Sequence, residues 1–203
     1  RVLFRSDISE ERAQTVAEAL GGEPHARPVK ADVTSPEKIR RMRDETGPVD
    51  ILVNNAGIPT TGFGELKRFV DTVPEDWEQA MRLNLGAVLH VTHAYAGAMV
   101  EREWGRIVTI VSDAGRRGER YQAIYGSAKA GAMGFMRSLA AEVGPSGVTA
   151  NCVALASMRT GILAEAVERE PALGERLARA YPMRRLGEPT DPAALVALLC
   201  SEA

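Results

Sequence analysis

The sequence has little cysteine, a small net charge and no long apolar run. Its two cysteines, Cys152 and Cys200, are far apart and form no metal-ligand pattern. A net charge of −2 leaves no broad basic field for nucleic acid or an anionic membrane. No apolar run approaches the roughly 20 residues that span a bilayer. We therefore expect a cytoplasmic protein with no metal site and no nucleic-acid or membrane partner.

Short β-rich runs alternate with longer helical patterns along the 203 residues. This order predicts one α/β domain whose parallel sheet is covered by helices on both faces. Ser9 and Ser35 predict helix caps, and Pro36 suits the first helical position. Helices are predicted over 9–20, 35–45, 74–102, 121–143, 161–179 with a break near Pro171, and from 190 onward; strands are predicted over 28–33, 49–53, 106–111 and 148–154.

Tyr125 and Lys129 lie four residues apart, which places both side chains on one face of a helix. A nearby cation favours the phenolate form, so such a tyrosine can exchange a proton with a carbonyl or alcohol oxygen. Ser112 closes a predicted strand, at the sheet edge where ligands bind in open α/β folds. Its hydroxyl can donate to the same substrate oxygen, although it also suits a turn at the strand exit.

Several motifs together resemble the short-chain dehydrogenase/reductase family. Residues 50–57 read Asp-Ile-Leu-Val-Asn-Asn-Ala-Gly, similar to the family's sheet-stabilising motif. Ser112 stands thirteen positions before Tyr125, and Tyr125-x-x-x-Lys129 resembles the active-site signature. Asn84 matches the fourth catalytic residue. The likeness runs from about Asp7 to Ala203 with the motifs in the family's order.

The resemblance implies hydride transfer between a nicotinamide cofactor and a secondary alcohol or ketone. It makes Tyr125 the acid/base and Ser112 the residue that orients the substrate oxygen. Lys129 would lower the pKa of Tyr125 and hydrogen-bond the nicotinamide ribose. Asn84 would hold a water that links Lys129 to solvent, and it also suits a polar residue that bridges a helix kink.

On the cofactor side, the resemblance assigns Asp32 with Val33 to the adenine ring. Asn54, Ala56 and Gly57 would line the adenosine and ribose, although a plain turn also suits these residues. Thr160 matches a further cofactor contact. Asp7 stands at the end of the family's second strand, where an acidic residue accepts the ribose hydroxyls and repels a 2′-phosphate. We therefore expect NAD rather than NADP, with a solvated aspartate near a helix start as the alternative for Asp7.

The sequence departs from the family in two places. Leu155-Ala156 replaces the usual Pro-Gly that shapes the backbone over the nicotinamide. The glycine-rich turn that holds the pyrophosphate is absent, and Gly62 and Gly64 fit a loop after the wrong strand. The fold class expected is a Rossmann-type doubly wound parallel sheet that lacks the family's first and last strands. Such a truncated domain should leave open strand edges, bind NAD weakly or not at all, and aggregate readily.

Residues 1–6 read Arg-Val-Leu-Phe-Arg-Ser, which the end of a widely used sequencing adapter can encode. One hypothesis is therefore that these residues are translated adapter, joined in frame to a gene fragment that begins near Asp7. The alternative is a genuine second strand of the family's sheet.

The leading functional prediction is an NAD(P)-dependent oxidoreductase of the broad 3-oxoacyl reductase class, acting on a small-molecule carbonyl or alcohol. The alternatives are a non-catalytic dehydrogenase-like binding module and a fragment that is inactive without its glycine-rich loop. The arginines after Ser112 suit either an anionic acyl carrier or a solvated loop. The resemblance implies a homotetramer or homodimer packed through the two long helices.

Overall fold

The structure, a computed structural model, describes residues 2–57 and 67–202. Gly62 and Gly64 lie outside this part of the chain. The strands are β1 (Leu3–Asp7), β2 (Ala26–Lys30), β3 (Ile51–Asn54), β4 (Gly105–Ser112) and β5 (Val148–Leu155). The helices are α1 (Glu10–Ala19), α2 (Pro36–Thr46), α3 (Pro74–Met81), α4 (Ala87–Glu101), α5 (Asp113–Arg117), α6 (Ala123–Val143), α7 (Gly161–Arg169), α8 (Pro171–Ala178) and α9 (Thr190–Leu199).

The strands form two parallel sheets. β1 pairs with β2, and β4 lies between β3 and β5. Within the described ranges, β1 and β3 each have one partner strand, so each keeps an open edge. The side chains of Leu3, Ile51 and Val53 are correspondingly exposed. The predicted α/β class with parallel strands is confirmed.

One core cluster joins the two sheets. Val91 and Tyr95 of α4 pack with Val29 of β2, and Phe4 of β1 and Leu52 of β3 lie against the same group. A second cluster, centred on Met99, Ile107, Met136, Val143 and Val148, packs α4 and α6 onto β4 and β5. The helices therefore fix the carboxyl ends of β3, β4 and β5 relative to α6, which carries Tyr125 and Lys129.

The predicted helix caps are present at both serines. The backbone N–H of Arg12 donates to Ser9 Oγ at 3.3 Å, and that of Lys38 donates to Ser35 Oγ at 3.4 Å. The predicted break near Pro171 separates α7 from α8. The helix expected from 121 begins at Ala123, since Tyr121 has a φ of 63° that no right-handed helix accepts.

The helix predicted over 74–102 is interrupted. A π-helical turn, Arg82–Gly86, separates α3 from α4, and Asn84 lies inside it. Such turns widen the hydrogen-bonding ladder by one residue and often mark functional sites. One extra residue in a turn barely alters the helical spacing of the apolar residues, so the sequence pattern does not reveal this interruption.

Residues 3–7 form β1, in register with 26–30 of β2. This placement suits the genuine-strand alternative, while the origin of residues 1–6 stays a prediction. In the described part of the chain no helix has the length and apolarity to cross a membrane, and no cluster of histidine, cysteine or acidic residues suits a metal ion.

Candidate active site

Four predicted residues meet at the carboxyl end of the three-stranded sheet. Ser112 is the last residue of β4, and Tyr125 and Lys129 lie on α6, which packs on β4 and β5. Asn84 reaches the same place from the π turn, beside Gly57 in the segment after β3. This is the edge at which parallel α/β sheets bind their ligands.

Tyr125 lies close enough to Ser112 for the serine hydroxyl to influence the pKa of the phenol. Ser112 also caps α5, since its Oγ accepts the backbone N–H of Ala114 at 3.2 Å. Burial raises the pKa of Tyr125, the hydrogen bond from Ser112 lowers it in part, and the charge of Glu119 raises it further. The net shift is upward, so Tyr125 carries its proton at neutral pH and is ready to act as an acid.

The resemblance led us to expect that Lys129 lowers the pKa of Tyr125, and the structure differs. Lys129 Nζ lies 5.8 Å from the centroid of the Tyr125 ring, over its face rather than against the hydroxyl. Burial of the phenol dominates, so the net pKa of Tyr125 is raised, and a pKa-lowering contribution from Lys129 stays a prediction.

Lys129 itself is buried, with 4% of its surface exposed. Its Nζ donates to the backbone carbonyl of Ile110 at 3.1 Å, which fixes the ammonium under the end of β4. Burial lowers the pKa of Lys129 to about 8, and the nearby Cys152 raises it slightly. A lysine in this state is charged at neutral pH and can release its proton with little further cost.

Asn84 is fully buried and fits the kink-bridging alternative, while its role in holding a water stays a prediction. Its Nδ2 donates to the carbonyl of Ala80 at 3.1 Å, inside the widened turn, which is the kink-bridging alternative. A Cβ built on Gly57 would lie 2.9 Å from Asn84 Oδ1 and 2.9 Å from Lys129 Nζ. The amide oxygen and the ammonium therefore converge on one point beside Gly57.

Replacing Gly57 with alanine is expected to lower kcat/KM by about 10²-fold, because the added methyl displaces groups whose placement by about 1 Å matters. The end of the Lys129 side chain can move, so the melting temperature should change little. Gly97→Ala is the matched control, since its Cβ meets nothing within 4 Å. Steady-state kinetics and thermal melts of both variants provide the measurement, and an unimpaired Gly57→Ala would contradict this reading of the site.

Asn54 is placed differently from its predicted role toward adenosine. Its buried Nδ2 donates to Thr92 Oγ1 at 3.0 Å and to Thr109 Oγ1 at 3.1 Å. These bonds tie β3 to α4 and β4, so the Asn54 side chain is a structural cross-link. Ala56 and Gly57, which follow it, are exposed and open to a ligand.

Asp7 is the last residue of β1, and its carboxylate already has hydrogen-bond and ion-pair partners within the chain. Its Oδ1 accepts the backbone N–H of Ser9 at 2.9 Å and Arg12 Nη2 at 2.7 Å, and its Oδ2 lies 3.5 Å from Arg5 Nη2. Burial alone would raise the pKa of Asp7, but Arg12, Ser9 and Arg5 together lower it. Asp7 is therefore a charged carboxylate whose field two arginines partly neutralise.

Asp32 follows β2 at the neighbouring strand end. Its Oδ1 accepts Thr34 Oγ1 at 2.7 Å, a bond that leads the lowering of its pKa, and its Oδ2 lies 3.5 Å from Lys38 Nζ. A shallow cleft here is lined by Ile8, Lys30, Asp32, Lys38 and Arg41. This cleft joins the ends of β1 and β2, the expected adenosine side, and Val33 lies half-buried beside it.

Thr160 is exposed and directly precedes α7. Ser112 pairs in register with Leu155, so the segment from Ala156 to Thr160 leaves the sheet beside the Ser112–Tyr125 pair. Of the arginines that follow Ser112, Arg116 and Arg117 lie in α5 rather than in a loop, and both pair with Asp113.

Sequence reasoning missed the contacts that hold these groups in place. The carbonyl of Ile110 under Lys129, and Thr92 and Thr109 around Asn54, have no signature in the sequence because they come from other elements of the fold. The bond between Ser157 and Tyr181 is a further example. Asn84 is a polar residue inside a long predicted helix, and that position was the signal in the sequence that pointed to a special site there.

Comparisons with known proteins agree with this arrangement. A family model described as enoyl-(acyl carrier protein) reductase matches residues 2–203. The acetoacetyl-CoA reductase of Shinella zoogloeoides is 34% identical over 202 residues, which cover 93% of this chain and 81% of that protein. The 3-oxoacyl-(acyl-carrier-protein) reductase FabG of Escherichia coli (strain K12) is 37% identical over 198 residues, covering 96% of this chain and 77% of that protein. The chain thus spans about four fifths of these relatives.

Solved structures share the fold. The crystal structure of gox2181 has a TM-score of 0.85 at 32% identity and covers 97% of this chain and 78% of its own. ElxO, solved with NADP bound, has a TM-score of 0.87 at 23% identity and covers 98% of this chain and 81% of its own. With the family model matched along almost the whole chain, and with Ser112, Tyr125, Lys129 and Asn84 gathered at one sheet edge, this chain belongs to the short-chain dehydrogenase/reductase family of NAD(P)-dependent oxidoreductases.

Proposed function

We propose that this chain reduces the ketone of a 3-oxoacyl thioester to a secondary alcohol with a reduced nicotinamide cofactor. The observation that carries the proposal is the half-buried, protonated Tyr125 beside Ser112, one helical turn from the charged Lys129. The choice of an acyl thioester is supported by the names of the acetoacetyl-CoA and 3-oxoacyl reductases that the chain resembles.

Tyr125 and Ser112 act on the ketone oxygen. Ser112 Oγ donates a hydrogen bond that holds the oxygen against Tyr125 Oη, and Tyr125 gives its proton to that oxygen as the carbonyl carbon becomes a C–H centre. The nicotinamide cofactor, when bound, supplies the hydride. Reduction needs Tyr125 to be protonated at the start, and a tyrosine whose pKa is not lowered from its ordinary value meets that need.

Lys129 and Asn84 restore the proton. The ammonium of Lys129 stabilises the tyrosinate left after transfer, and its pKa of about 8 suits it to pass a proton on at neutral pH. The amide oxygen of Asn84 converges with Lys129 Nζ beside Gly57, a position that suits a water leading to solvent.

The residues present fit a nicotinamide cofactor at its ribose end. Gly57 is exposed and lacks a side chain, and a Cβ there would lie 2.9 Å from Lys129 Nζ, so a ribose could approach the ammonium along this backbone. Thr160 would contact the nicotinamide side, and Ala56, Asp32 and Val33 the adenosine side.

We further propose NAD as the preferred cofactor, because the Asp7 carboxylate can accept ribose hydroxyls and repel a 2′-phosphate. Arg12 and Arg5 offset part of that repulsion, so the preference should be modest. Asp7→Asn is expected to lower the ratio of kcat/KM for NADH over NADPH by about tenfold. Asp50→Asn, which alters an arginine-paired carboxylate at the opposite end of the sheet, should leave the ratio unchanged. An unchanged ratio in Asp7→Asn would remove Asp7 from cofactor selection.

The proposal is tested by following NADH and NADPH oxidation with acetoacetyl-CoA, a 3-oxoacyl carrier-protein thioester and simple ketones. We expect turnover with at least one thioester and slower turnover with simple ketones. Cofactor binding without turnover of any carbonyl would instead support the non-catalytic binding module, and the absence of both would support an inactive fragment.

A further inference from the structure

Helices α7 and α8 form an excursion from the sheet between Thr160 and Tyr181. Their contacts are mainly with each other. The chain leaves the sheet through residues 156–160 and returns through residues 181–187. We call these two connecting segments the stems. Their geometry determines where residues 156–160 lie relative to Ser112.

The two stems are joined by a reciprocal pair of hydrogen bonds. The backbone N–H of Ser157 donates to Tyr181 Oη at 3.0 Å, and Tyr181 Oη donates to Ser157 Oγ at 3.0 Å. One tyrosine hydroxyl therefore serves as both acceptor and donor for a single residue. Both residues are half-buried, which shields these bonds from competing water.

Backbone bonds extend the junction around Gly187. Its N–H donates to the Ser157 carbonyl at 3.0 Å, and its own carbonyl accepts the N–H of Arg159 at 2.8 Å. A Cβ on Gly187 would lie 2.5 Å from Met158 Sδ, so glycine allows the stems to come this close. We call the contacts among Ser157, Met158, Arg159, Tyr181 and Gly187 the stem clasp.

The stem clasp lies where the sequence departs from its family. Leu155 pairs with Ser112, so the next residues pass beside the catalytic hydroxyls. In this chain Leu155-Ala156 stands in place of Pro-Gly, and a proline would itself have restricted the backbone at that point. Without it, the segment from Ala156 to Thr160 needs another constraint, and the stem clasp supplies one from outside the segment.

We propose that Tyr181 is a positioning residue for the nicotinamide side of the active site, acting through Ser157 to hold residues 156–160 against the cofactor. This inference rests on the proposed function, since it assigns Tyr181 a role in the same reaction. Tyr181 does not contact the reacting atoms. Its hydroxyl holds the backbone of residues 156–160, which would contact the cofactor.

The test compares Tyr181→Phe with Tyr95→Phe, which removes a buried tyrosine hydroxyl bonded to Thr46 at 2.9 Å, away from the site. Both variants should lose similar stability, but only Tyr181→Phe should lower kcat/KM for the cofactor, by about three- to tenfold. Ser157→Ala should lower kcat/KM for the cofactor less, because the Ser157 N–H still reaches Tyr181. Ser157→Thr should restore kcat/KM for the cofactor. The double variant should equal Tyr181→Phe alone, because both changes remove the same interaction.

Amide hydrogen exchange of the cofactor-free protein gives an independent measurement. Exchange at the Ser157 amide should accelerate in Tyr181→Phe and stay unchanged in Tyr95→Phe. If the wild type turns over and Tyr181→Phe keeps both its kcat/KM for the cofactor and its Ser157 exchange rate, this inference is wrong while the proposed function stands. Faster exchange with unchanged kcat/KM also overturns it, because the clasp is then structural only. A wild type that neither binds nor oxidises NADH or NADPH overturns the proposed function and this inference with it.

Discussion

Replacing Tyr125 with phenylalanine is expected to lower kcat by about 10²–10⁴-fold, the range that a positioned proton donor contributes. The variant removes one oxygen atom and the proton that the ketone oxygen receives. The ring remains, so packing on α6 and cofactor affinity should change little. Steady-state NAD(P)H oxidation and a fluorescence titration with NADH measure the two effects separately.

The chain supplies a close control in Tyr121. It lies one turn before Tyr125, is 40% exposed, and has its hydroxyl 3.3 Å from Arg120 Nη2. Tyr121→Phe should keep nearly full activity. Retained turnover in Tyr125→Phe, or an equal loss in both variants, would show that the phenol proton of Tyr125 is not the one transferred.

Replacing Lys129 with methionine should move activity and stability in opposite directions. The ammonium is 4% exposed and its burial carries a cost in solvation. Methionine has a similar volume without the charge, so the free energy of unfolding should rise by about 1–3 kcal/mol at neutral pH. kcat/KM should fall by about 10²-fold, because the tyrosinate loses its nearby cation and its route for a proton.

The gain in stability should depend on pH in a defined way. The pKa of Lys129 is about 8 in the folded chain, below its ordinary 10.5. Between these values the unfolded chain holds more protons, so wild-type stability rises with pH across this window. Lys129→Met lacks that rise, and its advantage should be largest below pH 8 and shrink toward pH 10.5.

Denaturant titrations at pH 7 and pH 10 measure the difference. Lys67→Met, a change at a lysine whose side chain is 48% exposed, should alter neither stability nor activity appreciably. A destabilised Lys129→Met would mean that the ammonium contributes more to folding than its burial costs. An active Lys129→Met would remove it from the proton path.

The elements of the fold were predictable where local chemistry decides them. Ser9 and Ser35 mark helix starts because their hydroxyls accept the backbone donors of the first turn. The apolar run before Asn54 predicted a strand of the kind that is covered on both faces. β3 forms there, but Ile51 and Val53 stay exposed at its open edge. Boundaries shifted by a few residues where tertiary contacts compete, as at β2, which begins at Ala26.

The site was predictable in its residues and less so in its geometry. The spacing of Ser112, Tyr125 and Lys129 brought them together as expected. The direction of the Tyr125 pKa did not follow from spacing, because burial outweighs a cation that lies over the ring face. The amide of Asn54 cross-links the fold, which a turn motif does not show, and its predicted role toward adenosine stays a prediction.

Strands β1 and β3 belong to different sheets, and the packing of the helices explains how these sheets stay together. Both strands keep an open edge, yet Phe4 and Leu52 rest on one core with α4. Helical packing therefore holds the two sheets together in the described part of the chain, while exposed side chains such as Val53 and Leu3 make aggregation an expected hazard.

The central claim is that this site moves a hydride to a ketone carbon and a proton from Tyr125 to its oxygen. The most direct measurement is a turnover with acetoacetyl-CoA and a cofactor carrying deuterium at the transferable position, followed by mass spectrometry of the product. We expect a 3-hydroxyacyl product with one deuterium on the carbinol carbon, formed by the wild type and not by Tyr125→Phe. A product without deuterium, or equal deuterium transfer by both proteins, would contradict it.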